Sequence, residues 1–306
     1  MAYQPYRKRK GQILIETWHG SIGIKKLSAD VVKDRKWVRK VTREGKETDY
    51  CIANSAFERD KVYRDNYWHD AEIWMYGHAR NDILCEGRTE RVKHIRKKIE
   101  RLCGLDCDTK ICLYAPTFRE NGDIRPYAID YSGLSEALKE EFGGSWVILT
   151  RVHFRIFSQT SSADMRSYRI LDECKKSESN MSGAGATVID VSNYPDIQEL
   201  AVCTDVAITD YSSWICEYML TRRPGFLYAP DLKIYQESDR SFAIPLHDLP
   251  FSVAESQAQL FDNIRSFIED AYLKKCDAFL RQKGSVDDGH AAERIVNKIE
   301  EMMGKQ

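Results

Sequence analysis

His19 sits within the stretch ILIETWHGSIGIKKL (13–27), in which an apolar, strand-like run ends at Trp18-His19-Gly20. Loops and helix N-termini converge at the C-terminal ends of parallel strands, and ligands bind there. An imidazole, with an ordinary pKa of about 6.5, can move a proton at neutral pH from such a position. A histidine that merely caps its strand is the plainer reading. Similar polar groups follow four more apolar runs. YGHARND (76–82) offers Arg80, Asn81 and Asp82, and YAPTFR (114–119) stops at Pro116 with Thr117 and Arg119 at its tip. TRVHF (150–154) carries Arg151 and His153, which alternation along a strand turns to the same side. In TDYSSWICEYML (209–220), Asp210, Ser212 and Ser213 open a helix. Free N–H groups and the positive end of the helix dipole favour phosphate at such a start. An ordinary N-cap accounts for one of these residues but not for both serines. Glu217 follows Ser213 by four residues on the same face, where a capping box would need three. A carboxylate there suits ribose hydroxyls.

Other motifs carry less. Asp-Cys-Asp at 106–108 mimics a metal motif but precedes a strand, so no metal is expected. Asp231 and Tyr235, in PGFLYAPDLKIY (224–235), fit a cleft lining and surface packing equally well.

The elements that must position these groups alternate. GQILIET (11–17), DYCIAN (49–54) and AEIWMYG (71–77) read as strands, with FERDKVYRDNY (57–67) a helix between the last two. A helix at 87–104 ends at a glycine and bridges to a second alternation: strands near 110–116, 145–153, 187–192, 205–210 and 224–231. Helices are expected at 132–143, 196–203, 212–223, 254–272 and 290–304, and SESNMSGAGA (177–186) reads as a loop. Strands alternating with helices predict an α/β fold of mainly parallel sheets with right-handed crossovers. Two Rossmann-like halves facing a cleft, of GT-B type, are expected at 1–104 and 105–306. The second is the nucleotide-binding half, and the first holds His19 and the acceptor side. Three strands are few for such a half, so the first reads as incomplete, with an exposed sheet edge through which the chain could oligomerise.

Bulk properties exclude several classes. The chain has 306 residues, 42% hydrophobic and 30% charged, with a net charge of −1, an ordinary soluble balance without a field for nucleic acid. RKRK at 7–10 is a solvated arm or a weak contact for anionic lipid head groups. Nine scattered cysteines, no secretory signal and no run near the roughly 18 apolar residues of a membrane span predict a cytoplasmic, at most peripheral, protein.

Taken together, TWHGSIGIKKL, YGHARND, LYAPTFR, the Arg-Val-His of TRVHF, VSNYPDIQELAVCTDVAITDYSS and FLYAPDLKIY resemble one family. It is the CDP-glycerol glycerophosphotransferases of teichoic acid and capsule synthesis. The motifs occur in the family's order and cover most of residues 13–235. The resemblance implies substrate binding at His19, Gly20, Ser21, Ile22, Gly23, Arg80, Pro116, Thr117, Arg151, Val152, His153, Ser212, Ser213 and Glu217. It places catalysis at His19 and His153. Departures are Ser21-Ile22 where Thr-Pro is usual, Ala79 where proline is usual, and Glu217 where aspartate is common. The implied reaction transfers glycerol phosphate from CDP-glycerol to a hydroxyl of a lipid-linked polyol-phosphate or glycan acceptor and releases CMP, without a cofactor. His19 then stands across the cleft from the helix at Ser212. The competing readings are a CDP-ribitol or nucleotide-sugar transferase on the same fold, and a truncated, non-catalytic CDP-alditol-binding protein.

Overall fold

The computed structural model describes residues 8–26, 34–66, 68, 70–87, 89–117, 119, 126, 128–152, 186–238 and 241–304. In the first half, β1 (Ile15–Glu16), β2 (Tyr50–Ala53) and β3 (Glu72–Met75) form a parallel sheet in that order. β2 reads Tyr-Cys-Ile-Ala with three of its four residues buried, the apolar run of a strand covered on both faces. α1 (Arg35–Glu47) starts where the Asp34 carboxylate accepts the N–H groups of Lys36 and Trp37. A π-helical segment, Glu58–Arg64, lies between β2 and β3. Beyond β3, a 3-10 turn at Ala79–Asn81 runs into α2 (Asp82–Cys85). α3 (Glu90–Cys103) is capped by the Thr89 hydroxyl and ends at Gly104, left-handed at φ 63°.

The second sheet holds β4 (Lys110–Tyr114), β5 (Trp146–Thr150), β6 (Thr187–Asp190), β7 (Val206–Thr209), β8 (Gly225–Tyr228) and β9 (Ser252–Ala254). All pairs are parallel, in the order β6-β5-β4-β7-β8-β9. The order reverses at β4, so the crevice beyond the ends of β4 and β7 is the topological switch point, where α/β sheets bind ligands. The helices are α4 (Tyr131–Phe142), α5 (Ile197–Cys203), α6 (Trp214–Tyr218), α7 (Leu232–Ser238), α8 (Gln257–Arg265), α9 (Glu269–Lys283) and α10 (Ala291–Gly304).

Alternation along the strands divides the core. Ile111, Leu113, Val147 and Leu149 face α3, α5 and α9, while Cys112, Tyr114, Ile148 and Ile208 face α4 and α8. A smaller cluster around Cys51, Val62, Tyr63 and Trp68 supports the first sheet.

Two elements expected from sequence take other forms. The single helix anticipated at 254–272 begins as β9 and breaks between α8 and α9, where the Ser266 hydroxyl returns to the Asp262 carbonyl. The helix anticipated at 212–223 is the five-residue α6, followed by a 3-10 turn that closes at Arg222, left-handed at φ 65°. Packing also crosses the line drawn at residue 104. Val92, Ile95 and Ile99 of α3, with Ile22 and Ile24, sit in the core of the second half. In the other direction, the chain after α9 returns to the first half, where Ser285 bridges Ser55 and the Val286 N–H donates to the Asn54 carbonyl at 2.8 Å. The Asp82 carboxylate there caps α10 by accepting from Ala291 and Ala292.

Candidate active site between the two sheets

The His19 loop is built on strain held from several sides. Trp18 has φ 49°, a left-handed conformation that a large side chain rarely adopts, and its N–H donates to Glu16 Oε1 at 2.7 Å. Its ring meets Trp68 edge-on at 5.4 Å and lies 4.2 Å from the exposed His19 ring. Ser21 is buried and its hydroxyl accepts from Asn54 Nδ2 at 2.5 Å. Ile22 is core, so only its backbone is left for a ligand, and Gly23 is half-buried. Beyond it, the Ile24 carbonyl accepts the Ala243 N–H at 2.8 Å, and Lys25 Nζ lies 5.3 Å from the centre of the Tyr235 ring. Tyr235 stacks on Tyr211 at 3.8 Å, and Tyr211 precedes Ser212. The loop that carries His19 is therefore docked on the aromatic stack adjoining the Ser212 loop.

At the switch point, Asp210 joins two loops. Its Oδ1 accepts the N–H groups of Thr117 at 2.8 Å and Tyr211 at 2.5 Å, and its Oδ2 accepts Arg119 Nη1 at 2.8 Å. Arg119, 2% exposed, also forks onto Asp231 at 2.7 and 2.9 Å, and sits 4.8 and 5.0 Å from the ring centres of Tyr211 and Tyr235. Burial pulls its pKa down, but Asp231 and Asp210 outweigh this and hold the guanidinium charged. Pro116 is buried where β4 stops. Thr117 Oγ1 is buried with no hydrogen-bond partner among the described residues, an unmet group of the kind a ligand completes. Ser213 has helical dihedrals and its side chain makes no cap, so α6 leaves that hydroxyl uncommitted to its own backbone.

Arg80 and Glu217 cross from one half to the other. Arg80 Nη2 donates to Glu217 Oε1 at 2.5 Å, and Gln198 Nε2 donates to Glu217 Oε2 at 2.6 Å. Burial pushes the Glu217 carboxyl above its ordinary value, and Arg80, His78 and Gln198 draw it back. Arg80 Nε and Gln198 Oε1 are buried without partners among the described residues. Both residues line a cavity of about 420 Å³, with Ile83, His94 and Asp196. Arg151 Nη1 donates to the Tyr194 carbonyl at 2.9 Å, and the Val152 N–H donates to Ser192 Oγ at 2.9 Å. His153 lies outside the described residues.

The CDP-Glycerol:Poly(glycerophosphate) glycerophosphotransferase family matches residues 2–301. The chain belongs to that family. Among its relatives, the teichoic acid poly(glycerol phosphate) polymerase of Staphylococcus epidermidis is 29% identical over 312 residues, covering 98% of this chain and 40% of that protein. The teichoic acid glycerol-phosphate transferase of Staphylococcus aureus is 26% identical over 299 residues, covering 93% and 70%. The solved wall teichoic acid polymerase TagF superposes with a TM-score of 0.76 at 29% identity, over 100% of this chain and 72% of that one. The two parallel sheets thus have the GT-B-like, two-Rossmann arrangement of this glycerophosphotransferase family. The chain spans well under half the length of the Staphylococcus epidermidis polymerase it matches.

Three residues that bond the predicted ones or their neighbours were not singled out from sequence: Asn54, which bonds Ser21, Gln198, which bonds Glu217, and Asp287, which bonds Asn54 and Asn81. The strand-end rule, applied to DYCIAN, finds Asn54. Gln198 reads as one more helical residue, and Asp287 sits in a turn far along the chain with no pattern to mark it.

Proposed function

We propose that the chain is a CDP-glycerol glycerophosphotransferase. Its site takes CDP-glycerol at the switch point and passes glycerol phosphate to a hydroxyl of a polyol-phosphate or glycan acceptor. The observation that carries this reading is the set of buried groups without partners among the described residues, on the predicted residues and their neighbour: Thr117 Oγ1, Arg80 Nε and Gln198 Oε1. Arg80 and Gln198 both bond Glu217, Thr117 is held by Asp210 next to Tyr211 and Ser212, and the His19 loop is docked on the aromatic stack beside them.

The acceptor oxygen attacks the β-phosphorus, the bond from that phosphorus to the bridging oxygen breaks, and CMP leaves with the electron pair. His19, exposed at its strained turn, takes the hydroxyl proton. Thr117, Arg151 and the serines at 212 and 213 hold the diphosphate oxygens, and His153 joins them to steady the leaving CMP. Arg80 reaches the transferred phosphate, and Glu217 accepts from the ribose hydroxyls. Positioning and charge carry such transfers. A lipid-linked acceptor would be met at the inner membrane face by a peripheral protein. Among the described residues, no helix is long and apolar enough to cross a membrane.

The test is CMP release with CDP-glycerol or CDP-ribitol and a lipid-linked glycerol-phosphate primer. CMP release that requires both CDP-glycerol and primer is expected. Release with CDP-ribitol alone reassigns the donor, and CDP-glycerol binding without turnover makes the chain a binding module.

A further inference from the structure

We infer that Asp287 is a positioning residue that locks the His19 loop to the Arg80–Glu217 pair. The carboxylate gathers three donors from the first half. Its Oδ1 accepts the His78 N–H at 2.9 Å, and its Oδ2 accepts Asn54 Nδ2 at 2.6 Å and Asn81 Nδ2 at 3.1 Å. Each asparagine passes the order on in a different direction. Asn54 Nδ2 also donates to the Ser21 hydroxyl, two residues from His19. Asn81 Oδ1 accepts Gln198 Nε2 at 2.9 Å, and that amide also holds Glu217. Gly77 makes the approach feasible: at φ 86°, a Cβ there would stand 2.9 Å from Asp287 Oδ1. The segment bearing Asp287 is tied down on both sides, by the Ser55–Ser285 bridge before it and by the Asp82 cap of α10 after it. One carboxylate from the last turn before α10 therefore fixes the base loop and the ribose-side carboxylate in a common frame.

This role rests on the proposed transferase reading, and the experiment separates the two. In Asp287→Asn, an amide replaces one of the two acceptor oxygens, so at least one of the three donors loses its partner. CMP release is expected to fall about 10–100-fold in kcat, the scale set by misplacement of groups near 1 Å, with KM for CDP-glycerol nearly unchanged. Asn54→Ala, which leaves Asp287 its other two donors, should give the same split if Asp287→Asn folds poorly. The double variant should be no slower than the slower single one, because both break one chain of contacts. A purely structural Asp287 predicts a lowered Tm with normal kcat per folded molecule and additive effects. Amide hydrogen exchange at residues 19–24 reads the lock without turnover. Faster exchange in both variants, with β4 unaffected, supports it. Unchanged exchange overturns it, whereas absence of CMP release from the unaltered chain overturns the transferase reading instead.

Discussion

Arg80 and Glu217 are 137 residues apart in the chain and 2.5 Å apart in the structure. The pair spans the two sheets, and Glu217 is almost wholly buried. Removing the arginine leaves a buried carboxylate that keeps, among the described residues, the Gln198 hydrogen bond but no adjacent counter-charge in direct contact. Arg80→Ala should cost about 1–3 kcal/mol in urea unfolding, and adding Glu217→Gln should recover most of it, since the lone charge is the source of the loss. A double variant as unstable as Arg80→Ala would show that packing, not charge, is what Arg80 supplies.

His19→Ala removes the proposed base. We expect kcat for CMP release to drop about 10²–10⁴-fold while calorimetric affinity for CDP-glycerol stays near its starting value. Comparable losses in both quantities would make His19 a binding group.

Arg119 stands between Asp210 and Asp231 with 2% of its surface exposed. Arg119→Met leaves the buried Asp210 and the half-buried Asp231 without their counter-charge, and stability should fall by about 3–5 kcal/mol. Asp231→Asn should be milder, because Asp210 still holds the guanidinium. Urea midpoints of the two variants give the comparison.

The buried His78–Glu58 pair ties stability to pH. Glu58 holds His78 Nε2 with both oxygens, at 3.0 and 2.9 Å. Burial lowers the imidazole pKa, but the hydrogen bond and charge of Glu58 more than offset it and leave His78 above its ordinary 6.5. A raised pKa means the folded state holds the proton more tightly. The stabilisation is complete below about 6.5 and is lost as pH climbs through the folded value. Tm should therefore decline above pH 6.5, and His78→Gln should flatten that slope. A slope unchanged by the substitution would remove His78 as its cause.

Much of the strand framework was legible because β2, β4, β5 and β7 are apolar runs that end in polar punctuation. The residues proposed to hold the phosphates were picked out by the same rule: Arg80, Thr117, Arg151 and Ser212 each follow a strand. Short-range signals failed where tertiary contacts decide. α1, RKWVRKVTREGKE, has too few apolar residues to announce itself and is fixed by its Asp34 cap. The length of α6 is set by the turn at Arg222, not by propensity. Arg119 has a strand-tip spacing, yet its environment makes it a buried clamp. Asp287 depends on partners more than 200 residues away, which no local pattern encodes.

The most direct measurement is the NMR titration of the His19 imidazole with CDP-glycerol, in wild type and in Thr117→Val. His19 and Thr117 follow strands of different sheets, so a shared ligand is what would couple them. The His19 signals, assigned by their loss in His19→Gln, should shift on CDP-glycerol addition and shift far less in Thr117→Val at the same donor concentration. His19 signals that stay still while CDP-glycerol binds would contradict a donor site shared by the two halves.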